Sequence, residues 1–359
     1  MEAEEVYKRL ADELDKFDIG VPREEELFEI LRMRYTPEEA EFAVHLTYVP
    51  ETAQVIGERA GMEPEEVERM LERMREKGLV FFIDTKKGRK WSHIVFFGVN
   101  IQMPFHKMGD PAKEHPELQK LARLWERYYD KSLGNRMHEP RTSFLKVLPV
   151  ERAIPTNVQV LPYQKVSEII GNTNFIALLP CACRIALKKC DKPTDNCFAF
   201  DSLGKFFVGS GAGREIGKEE ALRVLDQTEE DGLVHTTNNV KEAITFICNC
   251  CECCCHLMRR FPQLQRARVM ASSGFVAEND AADCTGCAVC TGVCQVKAIS
   301  LVDNVACIDE ERCIGCGLCV RHCPTDCLKL RPLAGVDIPS TFDDLWNTRA
   351  RERQEGPSK

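Results

Sequence analysis

Cysteine constrains this chain more than any other residue. Twenty of its 359 residues are cysteine, none precedes Cys181, and the last is Cys327. Thiols at that density must be bonded to each other or to metal, because idle neighbouring thiols oxidise. Disulfide scaffolds are typically short secreted chains. This sequence opens instead with MEAEEVYKRLADELDKF, acidic and amphipathic, with no apolar signal core and no twin arginine. No apolar stretch approaches the ~20 residues that a membrane helix needs. The expectation is thiols that hold metal in a reducing cytoplasm, on a chain with no membrane span. Acidic side chains outnumber basic ones 56 to 48, for a net charge of -8, which argues against a nucleic-acid coat or a polybasic membrane clamp.

The strongest spacing lies near the C-terminus. CTGCAVCTGVCQ places Cys284, Cys287, Cys290 and Cys294 with two, two and three residues between them, and CIGCGLCVRHCP repeats this with Cys313, Cys316, Cys319 and Cys323, followed by Pro324. The tandem repeat resembles the bacterial two-cluster ferredoxin. The resemblance implies two [4Fe–4S] clusters with crossed ligation. One takes Cys284, Cys287, Cys290 and Cys323, and the other takes Cys313, Cys316, Cys319 and Cys294. Gly286 and Gly315 sit where the chain must turn tightly against an inorganic sulfide. Gln295 departs from the pattern, standing where the first repeat should carry proline. Paired zinc knuckles are the competing reading, but they do not use four-cysteine runs in tandem. Cys307 and Cys327 exceed the quota of eight and are expected to be small buried hydrophobes.

Ten further cysteines lie upstream: Cys181, Cys183, Cys190 and Cys197 in PCACRIALKKCDKPTDNC, and Cys248, Cys250, Cys251, Cys253, Cys254 and Cys255 in CNCCECCC. Between them GKEEALRVLDQTEEDGLV reads as an amphipathic helix ending at Gly232, placed to bring the two groups together. If CNCCECCC is helical, Cys250 and Cys254 share one face and Cys251 and Cys255 the next, so some point at metal while others, Cys255 among them, pack. The expectation is at least one further [4Fe–4S] cluster with ligands from both groups, its charge offset by Arg184 and Lys188. Structural zinc through Cys181, Cys183, Cys250 and Cys253, or a redox dithiol or persulfide site, are the rivals. His256 and His322 are read as facing solvent or lying behind the ligands.

The front of the chain carries no cysteine. A helix is expected from about Glu4 to Phe17. TPEEAEFAVHL, ETAQVIGERAG and MEPEEVERMLERMREKG follow as short helical patterns, and LVFFID and WSHIVFF flank a turn with Gly88 at its tip. This order resembles a winged helix over roughly residues 35–97. Residues 51–100 carry nine basic and nine acidic side chains, and the would-be recognition helix opens with Glu63, Glu65, Glu66 and Glu68. Acid there opposes phosphate contact, so protein docking is favoured over DNA. Residues 101–165 hold Pro104, Pro111, Pro116, Pro140, Pro149, Pro155 and Pro162 and one expected helix, HPELQKLARLWERYYDKSLG, with Trp125 as a core or interface residue.

As a whole the chain resembles a family of cytoplasmic ferredoxin-type proteins of anaerobes, on Pro180 to Arg184, Cys248 to Cys251 and Cys284 to Pro324. The expected fold is modular α+β. Its parts are a winged-helix-like docking domain (1–100), a connector (101–165), a helical Cys-rich cluster-binding domain (166–275), a two-cluster ferredoxin domain (276–333) and a tail (334–359). The resemblance implies low-potential electron transfer as the relay subunit or partner of an anaerobic oxidoreductase, with redox proteins as donor and acceptor. A catalytic middle cluster, and an iron–sulfur-sensing winged-helix regulator, are the alternatives. The catalytic residues, if any, and the oligomeric state, a homo-oligomer included, stay open. No Walker A or G-x-G-x-x-G motif is in place for a nucleotide or flavin.

Overall fold

A computed structural model of the chain describes residues 2–17, 19–108, 115–156, 164–263, 270–333 and 338–355. Pro111, Pro162 and parts of the expected tail lie outside them. The chain divides into two compact units. The first comprises Met1–Met137, Ile185–Leu187 and Lys205–Arg214, and the second His138–Arg184, Lys188–Gly204 and Glu215–Lys359.

In the first unit α1 (Glu2–Asp15) buries Val6, Leu10 and Leu14, the apolar spacing that the sequence carries. A helix that the sequence reading did not anticipate follows, α2 (Glu25–Arg34). Then come α3 (Pro37–Ala43), α4 (Ala53–Ala60) and α5 (Pro64–Lys77). Thr36 and Glu39 close a reciprocal capping box on α3, and Thr52 caps α4. Gly61 and Gly78 end α4 and α5 in the left-handed conformation. Strands β1 (Val80–Thr85) and β2 (Gly88–His93) pair antiparallel as the expected hairpin. Farther on are α6 (Met103–Met108), α7 (Pro116–Tyr128) and α8 (Gly134–His138). Trp125 is fully buried against Phe105, the core role of the two expected of it.

The second unit corrects the expected architecture. Mixed α/β composition stands, but the Cys-rich middle is not helical: it is built on a sheet. In chain order the elements of this stretch are β3 (Leu145–Val147), α9 (Val166–Asn172), β4 (Ile176–Pro180), α10 (Ala182–Leu187), β5 (Asp195–Phe200), α11 (Asp201–Gly209), β6 (Arg214–Ile216), α12 (Lys218–Glu230), β7 (Val234–Asn238), β8 (Phe246–Cys250) and β9 (Met270–Ala271), of which Ile185–Leu187, Lys205–Gly209 and Arg214 belong to the first unit. The strands form one seven-stranded sheet in the order β6-β4-β5-β8-β7-β3-β9. Short strands buried on both faces show no alternation, and IALLP and CFAF are such runs. The expected helix between the cysteine groups does form as α12. It packs Ala221 and Leu225 with Ile169 and Ile170 of α9 against Phe198 and Ile247 of the sheet. Burying each of the larger of these side chains is worth about 1.5–3 kcal/mol.

Strand direction does the positioning. β4 and β5 run antiparallel with Leu179 opposite Cys197, and β5 and β8 run antiparallel with Phe198 opposite Ile247. The end of β4, the start of β5 and the end of β8 therefore meet at one end of the sheet, and cysteines follow or occupy all three.

The ferredoxin-like segment comprises β10 (Phe275–Asn279), α13 (Val289–Val293), β11 (Ile299–Val302), β12 (Val305–Ile308), α14 (Leu318–Arg321) and β13 (Leu328–Pro332), with α15 (Phe342–Glu355) after it. β10 pairs with β13 and β11 with β12, both antiparallel, so each repeat contributes a cysteine loop, a short helix and a strand.

Candidate metal centres

The tandem repeats enclose two cavities. The first, about 300 Å³ with its open mouth included, is lined by Cys284, Cys287 and Cys290 of the first repeat and Cys323 of the second. The second, about 340 Å³ on the same measure, is lined by Cys313, Cys316 and Cys319 and by Cys294 of the first repeat. Apolar residues complete each wall, Leu301, Ala306 and Leu328 in the first and Val296, Ile314 and Leu330 in the second.

Backbone amides aim at the sulfurs. Ala298 N–H donates to Cys294 Sγ at 3.2 Å and Ala277 N–H to Cys313 Sγ at 3.5 Å. The amides of Ala306 and Gly286 hold the Cys284 thiol below its usual range. Burial pushes the Cys316 thiol up to about 12 and the Cys319 thiol well up. Two glycines make the loops possible. A Cβ on Gly286, at φ +69°, would stand 2.5 Å from Asn304 O, and one on Gly315, at φ +66°, 2.2 Å from Phe275 O. The donor set, the directed amides and the apolar wall residues fit a [4Fe–4S] cluster in each cavity.

The ten middle thiols fall into two sets. In the first, thiol–thiol contacts run from Cys181 to Cys197, Cys248, Cys250, Cys255 and Cys183 in turn. Cys248 and Cys250 share one face of β8 because they are two apart on a strand. Thr236 of the neighbouring strand lies 3.3 Å from Cys250 Sγ. The second set is Cys190, Cys251, Cys253 and Cys254, whose Sγ atoms all lie within 4.8 Å of one another. The helical-face expectation for CNCCECCC is thus corrected: the segment ends a strand and then turns, and Cys255 stands beside Cys183 and Cys250 among the thiols. The backbone leaves β8 at Cys250, which is why neighbours in sequence separate into different sets.

Arg184 lies between the two sets. It is buried, donates to Asn249 O at 2.6 Å, and also bonds Pro193 O. Burial works against its charge, but the nearby Cys181, Cys197 and Cys251 hold its pKa well up. Lys188, the other expected cation, is exposed and caps α10 in the left-handed conformation. Three other expectations fare differently. Cys307 is exposed rather than buried, since it faces outward on the β11–β12 hairpin. Cys327 is buried but lines the first cavity, 3.4 Å from Cys323 Sγ. His256 is buried, which removes the solvent-facing alternative of the two expected for it.

The ferredoxin-like segment is tied to the cysteine sheet by polar contacts that sequence reasoning missed. Gln295, buried where proline was expected, accepts the Glu252 N–H at 2.9 Å, and Lys297 pairs with Glu252 at 2.7 Å. Glu229 of α12 pairs with Arg321 at 2.6 Å, and its other carboxylate oxygen lies 3.4 Å from His235 Nε2. His235 Nδ1 in turn bonds Asn249 at 2.5 Å, between Cys248 and Cys250. Only the odd residue at position 295 signalled any of this in the sequence.

Comparison with known proteins bears on one part of this arrangement. Among the described residues no helix is long and apolar enough to cross a membrane. Searches with the whole chain match no curated protein and no solved structure. A family model described as a 4Fe-4S binding domain matches residues 306–329, the stretch that holds Cys313, Cys316, Cys319 and Cys323. The C-terminal segment of this chain therefore carries an iron–sulfur domain of the ferredoxin type.

Proposed function

We propose that the chain is a low-potential electron-transfer protein, the relay subunit or docking partner of a cytoplasmic anaerobic oxidoreductase. The observation that carries this reading is the pair of cavities, each lined by three cysteines of one repeat and one of the other. Bound there, [4Fe–4S] clusters supply one-electron chemistry without a substrate site. The chain's own residues do the rest. Cys284, Cys287, Cys290 and Cys323 hold one cluster, and Cys313, Cys316, Cys319 and Cys294 the other. The amides of Ala277 and Ala298 stabilise thiolate charge, and Leu301, Leu328, Ile314 and Leu330 exclude water.

The six thiols from Cys181 to Cys255 at the sheet end are the seat of a further cluster, with Arg184 offsetting its charge. Gln295 and Glu229 keep that region close to the ferredoxin loops, as a relay requires. The parts keep the order docking domain (1–100), connector (101–165), cluster-binding domain (166–275), ferredoxin domain (276–333) and tail (334–359). Residues 35–97 serve as a winged-helix-like docking module for a redox protein. Arg73, Arg75 and Arg89, which a phosphate backbone would need, are instead engaged by Glu38, Glu72 and Asp84.

Anaerobically purified chain should contain about eight irons in the ferredoxin domain plus those of the middle site, with matching sulfide. Stepwise reduction followed by EPR should give cluster signals at potentials on the order of -400 mV. A chain that binds no reducible iron overturns the reading.

A further inference from the structure

We infer that Cys190, Cys251, Cys253 and Cys254 form a separate mononuclear site for one tetrahedral zinc ion, not part of any iron–sulfur cluster. Their compactness carries this. All four Sγ atoms lie within 4.8 Å of one another, with Cys190 at 4.0 Å from Cys251 and 3.7 Å from Cys254. Four thiolates on one zinc, at bond lengths of about 2.3 Å, stand about 3.8 Å apart along each tetrahedral edge. Thiolates on a cubane bind four different irons and are spread more widely. The chain supplies its own yardstick. Among the described residues, this is the one set of three or more metal-ligating side chains so close together, whereas the cysteines lining the ferredoxin cavities are not.

The surroundings suit a closed structural ion. All four coordination positions are thiols, which leaves no open position for a substrate. Four thiolates around a divalent ion leave a net double negative charge. The Lys189 N–H donates to Cys254 Sγ at 3.4 Å, and the Arg184 guanidinium lies beside Cys251. Cys190 comes from the loop after α10, and the other three from the turn after β8. One ion would therefore link the loop after α10 to the turn after β8, whose Glu252 amide meets Gln295. This inference does not rest on the relay reading, because zinc carries no electrons.

The test uses full-length protein purified anaerobically, with zinc, iron and sulfide measured per chain. One zinc is expected in addition to the iron. Cells grown with cobalt should give protein with the visible absorption of tetrahedral thiolate-bound cobalt. Cys190→Ser and Cys254→Ser should each remove that one equivalent and leave iron and sulfide unchanged. Cys190→His keeps a three-cysteine, one-histidine donor set and should retain the zinc, so a serine variant that fails to fold does not decide the matter. Loss of iron together with sulfide in these variants, one iron without sulfide at the site, or wild-type chain free of zinc each overturns the assignment. Failure of the relay reading would appear separately, as zinc present and reducible iron absent.

Discussion

The two cysteine-rich regions hold their thiols in opposite ways. In the ferredoxin segment each loop delivers three cysteines to one cavity within seven residues, and the fold only has to bring in a fourth. In the middle region the sheet does the gathering: Cys181 follows β4, Cys197 opens β5, and Cys248 and Cys250 end β8. Local spacing therefore writes the first kind of site into the sequence. The second kind depends on strand pairing between residues as far apart as Phe198 and Ile247, and spacing alone does not reveal it.

The same contrast decides what could be read in advance. Pro37, Pro64, Gly61, Gly78 and Gly88 announce α3, α4, α5 and the hairpin because those signals act within a few residues. Gly286 and Gly315 announced the tight loops for the same reason. The sheet under the middle cysteines went unread because its strands are short, buried on both faces and rich in cysteine, which was counted as ligand rather than strand. The helical face that Cys251 and Cys255 were expected to share does not form, because the chain turns after Cys250. Gln295 was visible as an anomaly, but its partner, the amide of Glu252, lies 43 residues away.

The largest effect should come from breaking the crossed arrangement. Cys327 lies 3.4 Å from Cys323 and is placed to substitute for it, so the informative variant is Cys323→Ser with Cys327→Ser. It should lose about four irons and the matching sulfide, and the lost EPR signal should be the one also lost in Cys284→Ser. Cys327→Ser alone should keep the iron. If the double variant instead damages the cluster that Cys313→Ser damages, ligation is local and the crossed reading fails.

Arg184 tests the other half of the comparison. Arg184→Met keeps bulk but removes a charge that faces both middle sets. Metal affinity in the middle region should fall about 10–100-fold, the usual cost of removing a residue that supports ligands. Ferredoxin iron should be unaffected, since its loops carry their own amide donors. Titrating metal out with a chelator, and following iron and zinc separately, measures this. Parallel loss from both regions would mean that the middle sets and the ferredoxin loops fold as one unit.

Gly315→Ala probes the local loops at lower amplitude. At φ +66° with backbone oxygen 2.2 Å from the added Cβ, the loop must shift and hold a strained conformation, a cost of about 1–3 kcal/mol. Thermal unfolding should show it as a lowered Tm, with faster iron loss from the second cavity than the first. Gly211→Ala also lies at a positive φ, +70°, but has nothing within 4 Å, so it should cost less and leave both clusters intact.

The smallest effect should come from Gln295→Pro, which gives the first repeat the residue the second already has in Pro324. Cys294 sits at φ −71°, ψ 102°, an extended conformation that tolerates a following proline. What disappears is the acceptor for the Glu252 N–H, and a hydrogen bond of this kind is worth about 0.5–1.5 kcal/mol net. Iron in both ferredoxin cavities should therefore be retained, while hydrogen exchange at the Glu252 amide speeds by about tenfold, consistent with a loss near 1.4 kcal/mol. Gln295→Glu keeps an acceptor and should leave that amide protected. If Gln295→Pro left exchange unchanged while Gly315→Ala still shed iron, the turn would be held by its own cysteines alone, and the two regions would be neighbours without being coupled.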